Sequence, residues 1–120
     1  MAKLNKKEIK IVREVEKGLL DNQGIIDGAC FANAQRMTMT GSGLGYDLLY
    51  HEGFVHRPKG RMKHAWNTLN GKIVDVSARN CPIEHIHIVA DKYKATNTYT
   101  SIEVCMHSIK TGGLYWIHKG

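Results

Sequence analysis

Hydrophobic and polar positions recur along this chain with two different periods, and the change of period marks its elements. Ile9, Val12, Val15 and Leu19 fall three or four residues apart with charges between them. That spacing predicts an amphipathic helix from Lys6 to Leu20. Gly18 weakens its last turn, and Asp21-Asn22 followed by Gly24 ends it. Phe31, Ala34 and Met37 repeat the helical step, so Cys30 to Thr38 reads as a second helix. Thr40-Gly41-Ser42-Gly43-Leu44-Gly45 is expected to break it.

The period then shortens to two. Tyr46 to Val55 reads as a strand, and Glu52 is an unusual residue inside it. Ile83 to Val89 suits a strand better than a short helix. Ile102, Val104 and Met106 alternate, so Thr98 to Ile109 reads as another strand. Lys110-Thr111-Gly112-Gly113 is a turn, and Leu114 to His118 returns as a strand. The expected architecture is α+β: N-terminal helices packed on an antiparallel sheet, with a site at their seam.

The sharpest local signal is Asn70-Gly71, because both central positions of a type I′ turn need positive φ. With those two residues as the loop, Leu69 pairs with Lys72, Asp75 faces Trp66 and His64 faces Ser77. His64 and Trp66 share a face of their strand. Asp75 lies on that face too, diagonal to His64 and within side-chain reach. A carboxylate beside a His fixes its tautomer and stabilises the imidazolium.

Cys30 supplies a nucleophile to go with this pair. Gly28-Ala29-Cys30 is a turn running into a helix, and the positive end of a helix favours a thiolate. Taken alone, a Cys is more often a small buried hydrophobe, and a strand His more often a core residue. Helix-start Cys, then His, then Asp on one face is a far rarer combination.

Cys30-x-x-Asn33-Ala34, Tyr50-x-Glu52-Gly53, His64-Ala65-Trp66 and Asp75 resemble the transglutaminase-like branch of the papain-like cysteine hydrolases, and its small bacteriophage-type members in particular. The likeness spans roughly residues 24 to 77. It implies a papain-like or transglutaminase-like core with Cys30, His64 and Asp75 as the catalytic residues. In that superfamily a side-chain amide upstream of the Cys helps bind the oxyanion. Gln23 and Asn22 are available for this, and Gln23 is otherwise a turn residue; the donor could instead be the backbone N–H of Cys30 with one other group. Asn33 is a packing amide or, by the family pattern, a site residue. Glu52 is a wet residue on an edge strand or reaches the site. Trp66 shields the pair, lines an acyl pocket or packs the core.

Composition narrows the rest. The 120 residues fit a single domain, 1–120. No apolar run is long enough to span a bilayer and no signal-peptide core is present, so no membrane partner is expected. The expected location is cytoplasmic, the host cytoplasm for a phage-encoded protein. Three Cys residues, an odd number, argue against a disulfide framework. No Cys-x-x-Cys or His-x-x-x-His spacing calls for metal; His85-Ile86-His87 places two rings on one strand face at most. The Gly-rich stretch lacks the Gly-Lys-Ser/Thr of a phosphate loop, and no cofactor is expected. The net charge of +6 and the cluster Arg57, Lys59, Arg61 and Lys63 suit an acidic partner or a solvated loop. The expected function is a thiol hydrolase or acyl transferase acting on a protein or peptide. The alternative is a non-catalytic basic module contacting nucleic acid or an acidic protein. The lack of any nucleic-acid motif or aromatic-interleaved basic stripe counts against nucleic acid.

Overall fold

The computed structural model describes residues 2–20, 24–26, 28–78 and 81–118. Two helices come first, α1 (Lys6–Leu20) and α2 (Cys30–Gly43). Strands β1 (Leu48–Arg57), β2 (Gly60–Leu69) and β3 (Lys72–Val74) follow. A 3-10 helix (Ile86–Lys92) leads into β4 (Tyr93–Tyr99), and α3 (Ser101–Thr111) closes the order. The strands form one antiparallel sheet in the order β3-β2-β1-β4, so the fold is α+β as the pattern predicts.

α1 begins with a reciprocal cap. Asn5 N donates to Glu8 Oε1 and Glu8 N donates to Asn5 Oδ1, each at 2.8 Å. Its Val12, Val15 and Leu19 are buried with Met37, Leu48, Leu69 and Val74. The Glu8 carboxylate also accepts from Asn70 Nδ2 at 2.9 Å and Lys72 Nζ at 2.7 Å. The helix start therefore holds the tip of the β2–β3 hairpin. The Asn5 backbone bond, then Lys72 and Asn70, lower the Glu8 pKa to about 2.

That hairpin has the expected register. Leu69 pairs with Lys72, Thr68 with Ile73 and Asn67 with Val74, around Asn70 and Gly71 at φ of 53° and 77°. The ladder stops at Val74, and Asp75 lies just past its end. α2 packs across the sheet. Asn67 Nδ2 donates to the Ala34 carbonyl and to Thr38 Oγ1, both at 2.9 Å. The helix does not break at Thr40: it runs on to Gly43, with Gly41 buried against the sheet.

The second half differs more from the expectation. Residues 83–89 are not a strand but turns and a 3-10 helix, which buries Ile86 and Ala90. His85 N bonds the Pro82 carbonyl and Ile88 N the His85 carbonyl, so the backbone closes three-residue steps after the proline. β4 escapes the hydrophobic pattern because it is an edge strand with exposed Lys94, Ala95 and Thr96. The strand expected over 98–109 stops at Tyr99, and α3 takes its place. Thr100 and Glu103 form a capping box that starts this helix. α3 buries Val104 and leaves Ile102, Met106 and Ile109 exposed. Residues 114–118 are irregular and form no strand. Among the described residues no helix is long and apolar enough to cross a membrane.

β1 pairs on both sides, so Glu52 is on an inner strand and not on an edge. Opposite it, β4 carries a bulge. Glu52 pairs with Asn97 and Gly53 with Ala95, leaving Thr96 over, and Thr96 Oγ1 donates to the Glu52 carbonyl at 3.1 Å. A Cβ on Gly53 would lie 2.1 Å from the Lys94 carbonyl oxygen, so this close approach needs glycine.

Candidate active site

The approach to Cys30 turns at Gly28, whose φ of 74° an L side chain rarely adopts. α2 starts at Cys30, and its N-cap Ala29 offers no side-chain acceptor. Among the described residues no side chain caps the first-turn N–H groups of the helix. One turn on, Asn33 acts as a clip. Its Oδ1 accepts from Ile26 N at 2.9 Å, and its Nδ2 donates to the Ile26 carbonyl at 2.8 Å and to Ser77 Oγ at 3.1 Å. The buried amide is fully used in tying the loop before Cys30 to the segment after Asp75. It ties together the two segments that carry Cys30 and Asp75.

His64 and Asp75 are both buried. His64 Nε2 donates to Asp75 Oδ2 at 2.7 Å, as the hairpin geometry predicts. The same oxygen accepts from Tyr93 OH at 2.6 Å, and Asp75 Oδ1 accepts from Ser77 N at 3.1 Å. Both oxygens are therefore committed and the carboxylate is fixed in place. Tyr93 is the member sequence reasoning missed. It arrives on β4, which no hydrophobic period announces.

Burial disfavours the charged form of His64, but the hydrogen bond to Asp75, the nearby Cys30 thiol and the charges of both raise its pKa to about 9. Nε2 is occupied by Asp75, so Nδ1 is the nitrogen left for the sulfur. Cys30 itself is half-buried and packs against the cluster of Ala34, Tyr50, Ala65 and Val104. Cys30, His64 and Asp75 are thus brought together.

The remaining candidates divide differently. Trp66 is buried with Ile73, Ile86 and Ala90. Its ring stacks on His64 at 6.1 Å and on His51 at 5.9 Å, and meets Tyr93 edge-on at 5.1 Å. It packs the core and screens one face of His64 at once. Glu52 is buried, and its hydrogen bonds run away from the His64–Asp75 pair. It accepts from Tyr50 OH at 2.6 Å, Ile117 N at 2.7 Å and His118 N at 2.8 Å. These bonds hold the C-terminal segment so that Trp116 packs on Phe31, 5.1 Å between ring centroids, beside Cys30. Glu52 therefore builds a wall of the site through the tail. Asn22 and Gln23 lie outside the described residues.

Among the described residues no group of three His, Cys, Asp or Glu side chains is placed to hold a metal. His85 and His87 stand at the start of the 3-10 turn, not on one strand face. Cys30, Cys81 and Cys105 are free thiols. The chain matches no family model, no curated protein and no solved structure.

Proposed function

We propose that the protein is a thiol-dependent hydrolase or acyl transferase with Cys30 as nucleophile, His64 as base and acid, and Asp75 as the orienting carboxylate. The observation that carries this is the 2.7 Å bond from His64 Nε2 to Asp75, with Nδ1 left over and Cys30, at a helix start, near enough to raise the pKa of the ring. A ring held that way takes the thiol proton on Nδ1. The resulting thiolate forms a bond to the carbonyl carbon of an amide or ester, and the carbonyl electrons move to oxygen. The backbone N–H groups at the start of α2, which no described side chain caps, are the donors for that oxyanion. Collapse breaks the bond to the leaving amine or alcohol, which takes the proton back from His64. Water or a second amine then resolves the thioester, giving hydrolysis or transfer. The motif resemblance to papain-like and transglutaminase-like enzymes supports a protein or peptide substrate.

The test is the rate of iodoacetamide alkylation at each cysteine, resolved by peptide mass spectrometry. Cys30 is expected to react at least tenfold faster than Cys81 and Cys105 at pH 7, as a thiolate paired with an imidazolium should. His64→Gln should remove that advantage while the fold persists by circular dichroism. Equal rates at the three thiols, or a Cys30 advantage that survives in folded His64→Gln, would end the reading.

A further inference from the structure

On the flank of the His64–Asp75 pair the molecule has a cavity of about 520 Å³, and Cys30 is not among its lining residues. The size is that of a small-molecule pocket. Val55, Ala78, Ile86 and Val89 give it an apolar wall. Among its described lining residues the lysine and arginine side chains are Arg57 from the end of β1 and Lys92 from the end of the 3-10 helix, both exposed, and of the two lining histidines, His56 and His64, His64 is paired with Asp75. Among its described lining residues the one acid is Asp75. That carboxylate is already hydrogen-bonded to His64, Ser77 and Tyr93, so it neither neutralises Arg57 and Lys92 by contact nor needs a further donor. The Arg57 guanidinium lies near enough to Tyr93 to oppose, in part, the effect of burial on its hydroxyl. The two cations and the apolar wall therefore belong to one concavity.

We propose that this cavity binds a small amphipathic anion, with a carboxylate, sulfonate or phosphate head at Arg57 and Lys92 and an apolar body against Val55, Ile86 and Val89. An apolar molecule without charge gains only the wall. A cationic one meets Arg57 and Lys92 as like charges. The proposal stands on the cavity alone and does not depend on Cys30 being a nucleophile.

The probes are octanoate, octan-1-ol and octylammonium, titrated at low ionic strength and followed by heteronuclear NMR shifts of the intact protein. Octanoate is expected to bind about tenfold more tightly than octylammonium, the scale of two solvent-exposed charge pairs. The perturbed amides should map to the lining residues. The double variant Arg57→Gln/Lys92→Gln changes only exposed side chains and should bring the ratio close to one. Val89→Trp fills the half-buried wall and should weaken all three probes together. Octanoate binding no better than octylammonium would overturn the proposal. So would a preference that survives the double variant, or affinities indifferent to Val89→Trp.

Discussion

Asp75→Asn tests the site at its most informative atom. His51 and His64 lie on the same face of the sheet, on either side of Trp66, and are about equally buried, at 8% and 7% exposure. Among the described residues the hydrogen-bond partners of His51 are hydroxyls, Thr98 Oγ1 at 2.9 Å and Thr68 Oγ1 at 2.7 Å, and burial pushes the pKa of that ring down to about 4. His64 suffers the same burial, yet Asp75 and Cys30 hold it at about 9. At pH 7 such a ring is roughly 99% imidazolium; a ring returned to 6.5 or below is at most roughly 25% so. The asparagine amide adds a second effect. Ser77 N, Tyr93 OH and His64 Nε2 all donate to the carboxylate, and an amide has one oxygen for three donors. If its NH₂ faces His64, Nε2 becomes an acceptor and the ring proton moves to Nδ1, which can no longer take the thiol proton. Cys30 alkylation at pH 7 should fall by roughly 10- to 100-fold. The assay is iodoacetamide labelling of Cys30 from pH 5 to 9 in both proteins, with circular dichroism as the control for folding. Stability gives a second readout. The folded His64 pKa lies above the unfolded 6.5, so its contribution is complete below 6.5 and is lost as pH rises through about 9. The shift is worth roughly 3 kcal/mol. Wild type should therefore lose more stability than Asp75→Asn between those pH values. Identical Cys30 profiles in two equally folded proteins would refute the assignment of Asp75 to His64.

Three further outcomes follow from the same structure. His51 is held neutral with its pKa lowered to about 4, so its contribution to stability is present above 6.5 and lost as pH falls through 4. Urea unfolding from pH 7 to 4 should show a loss of roughly 3 kcal/mol in wild type that His51→Gln lacks, and an imidazole NMR titration near 6.5 would contradict it. Glu52→Gln keeps the shape but weakens the bonds to Ile117 N and His118 N, and should cost roughly 2 kcal/mol and speed amide exchange at those two residues first. Gly53→Ala drives a Cβ into the Lys94 carbonyl and should cost more than about 2 kcal/mol or prevent folding, whereas Gly43→Ala, with open space at its Cβ, should change stability by no more than about 1 kcal/mol in denaturant melts.

The first two-thirds of the chain was readable because its signals are local. Asn70-Gly71 admits one tight turn, and that turn alone places Asp75 beside His64. α1 shows a full buried stripe at helical spacing. The last third was misread where exposure overrode pattern. Ile102, Val104 and Met106 alternate like a strand, but Thr100-Ser101-Ile102-Glu103 is a helix-start signature, and the helix it begins leaves two of those three apolar residues in solvent. The capping box was visible in the sequence and outweighs the alternation. β4 has no hydrophobic period, because an edge strand with a bulge needs none. With β4 unseen, neither Tyr93 nor its bond to Asp75 was accessible.

The motif residues outside the thiol and the His–Asp pair have a common physical role, which is to fix distances between parts of the chain remote in sequence. Asn33 lies one turn past Cys30 and bonds Ser77, whose own N–H is bonded to Asp75. Two hydrogen bonds therefore link the start of α2 to the carboxylate that orients His64, independently of packing across the sheet. In Tyr50-x-Glu52-Gly53, each named residue secures a neighbour: Tyr50 donates to Glu52, Glu52 captures the tail at Ile117 and His118, and Gly53 admits the β4 backbone. β4 in turn delivers Tyr93 to Asp75, and the tail delivers Trp116 to the side of Cys30. A buried carboxylate such as Glu52 is costly to desolvate, and several hydrogen bonds are needed to offset that cost. Two of its three bonds seat a segment that has no secondary structure of its own. Losing such a residue moves the reacting groups apart while leaving each of them present.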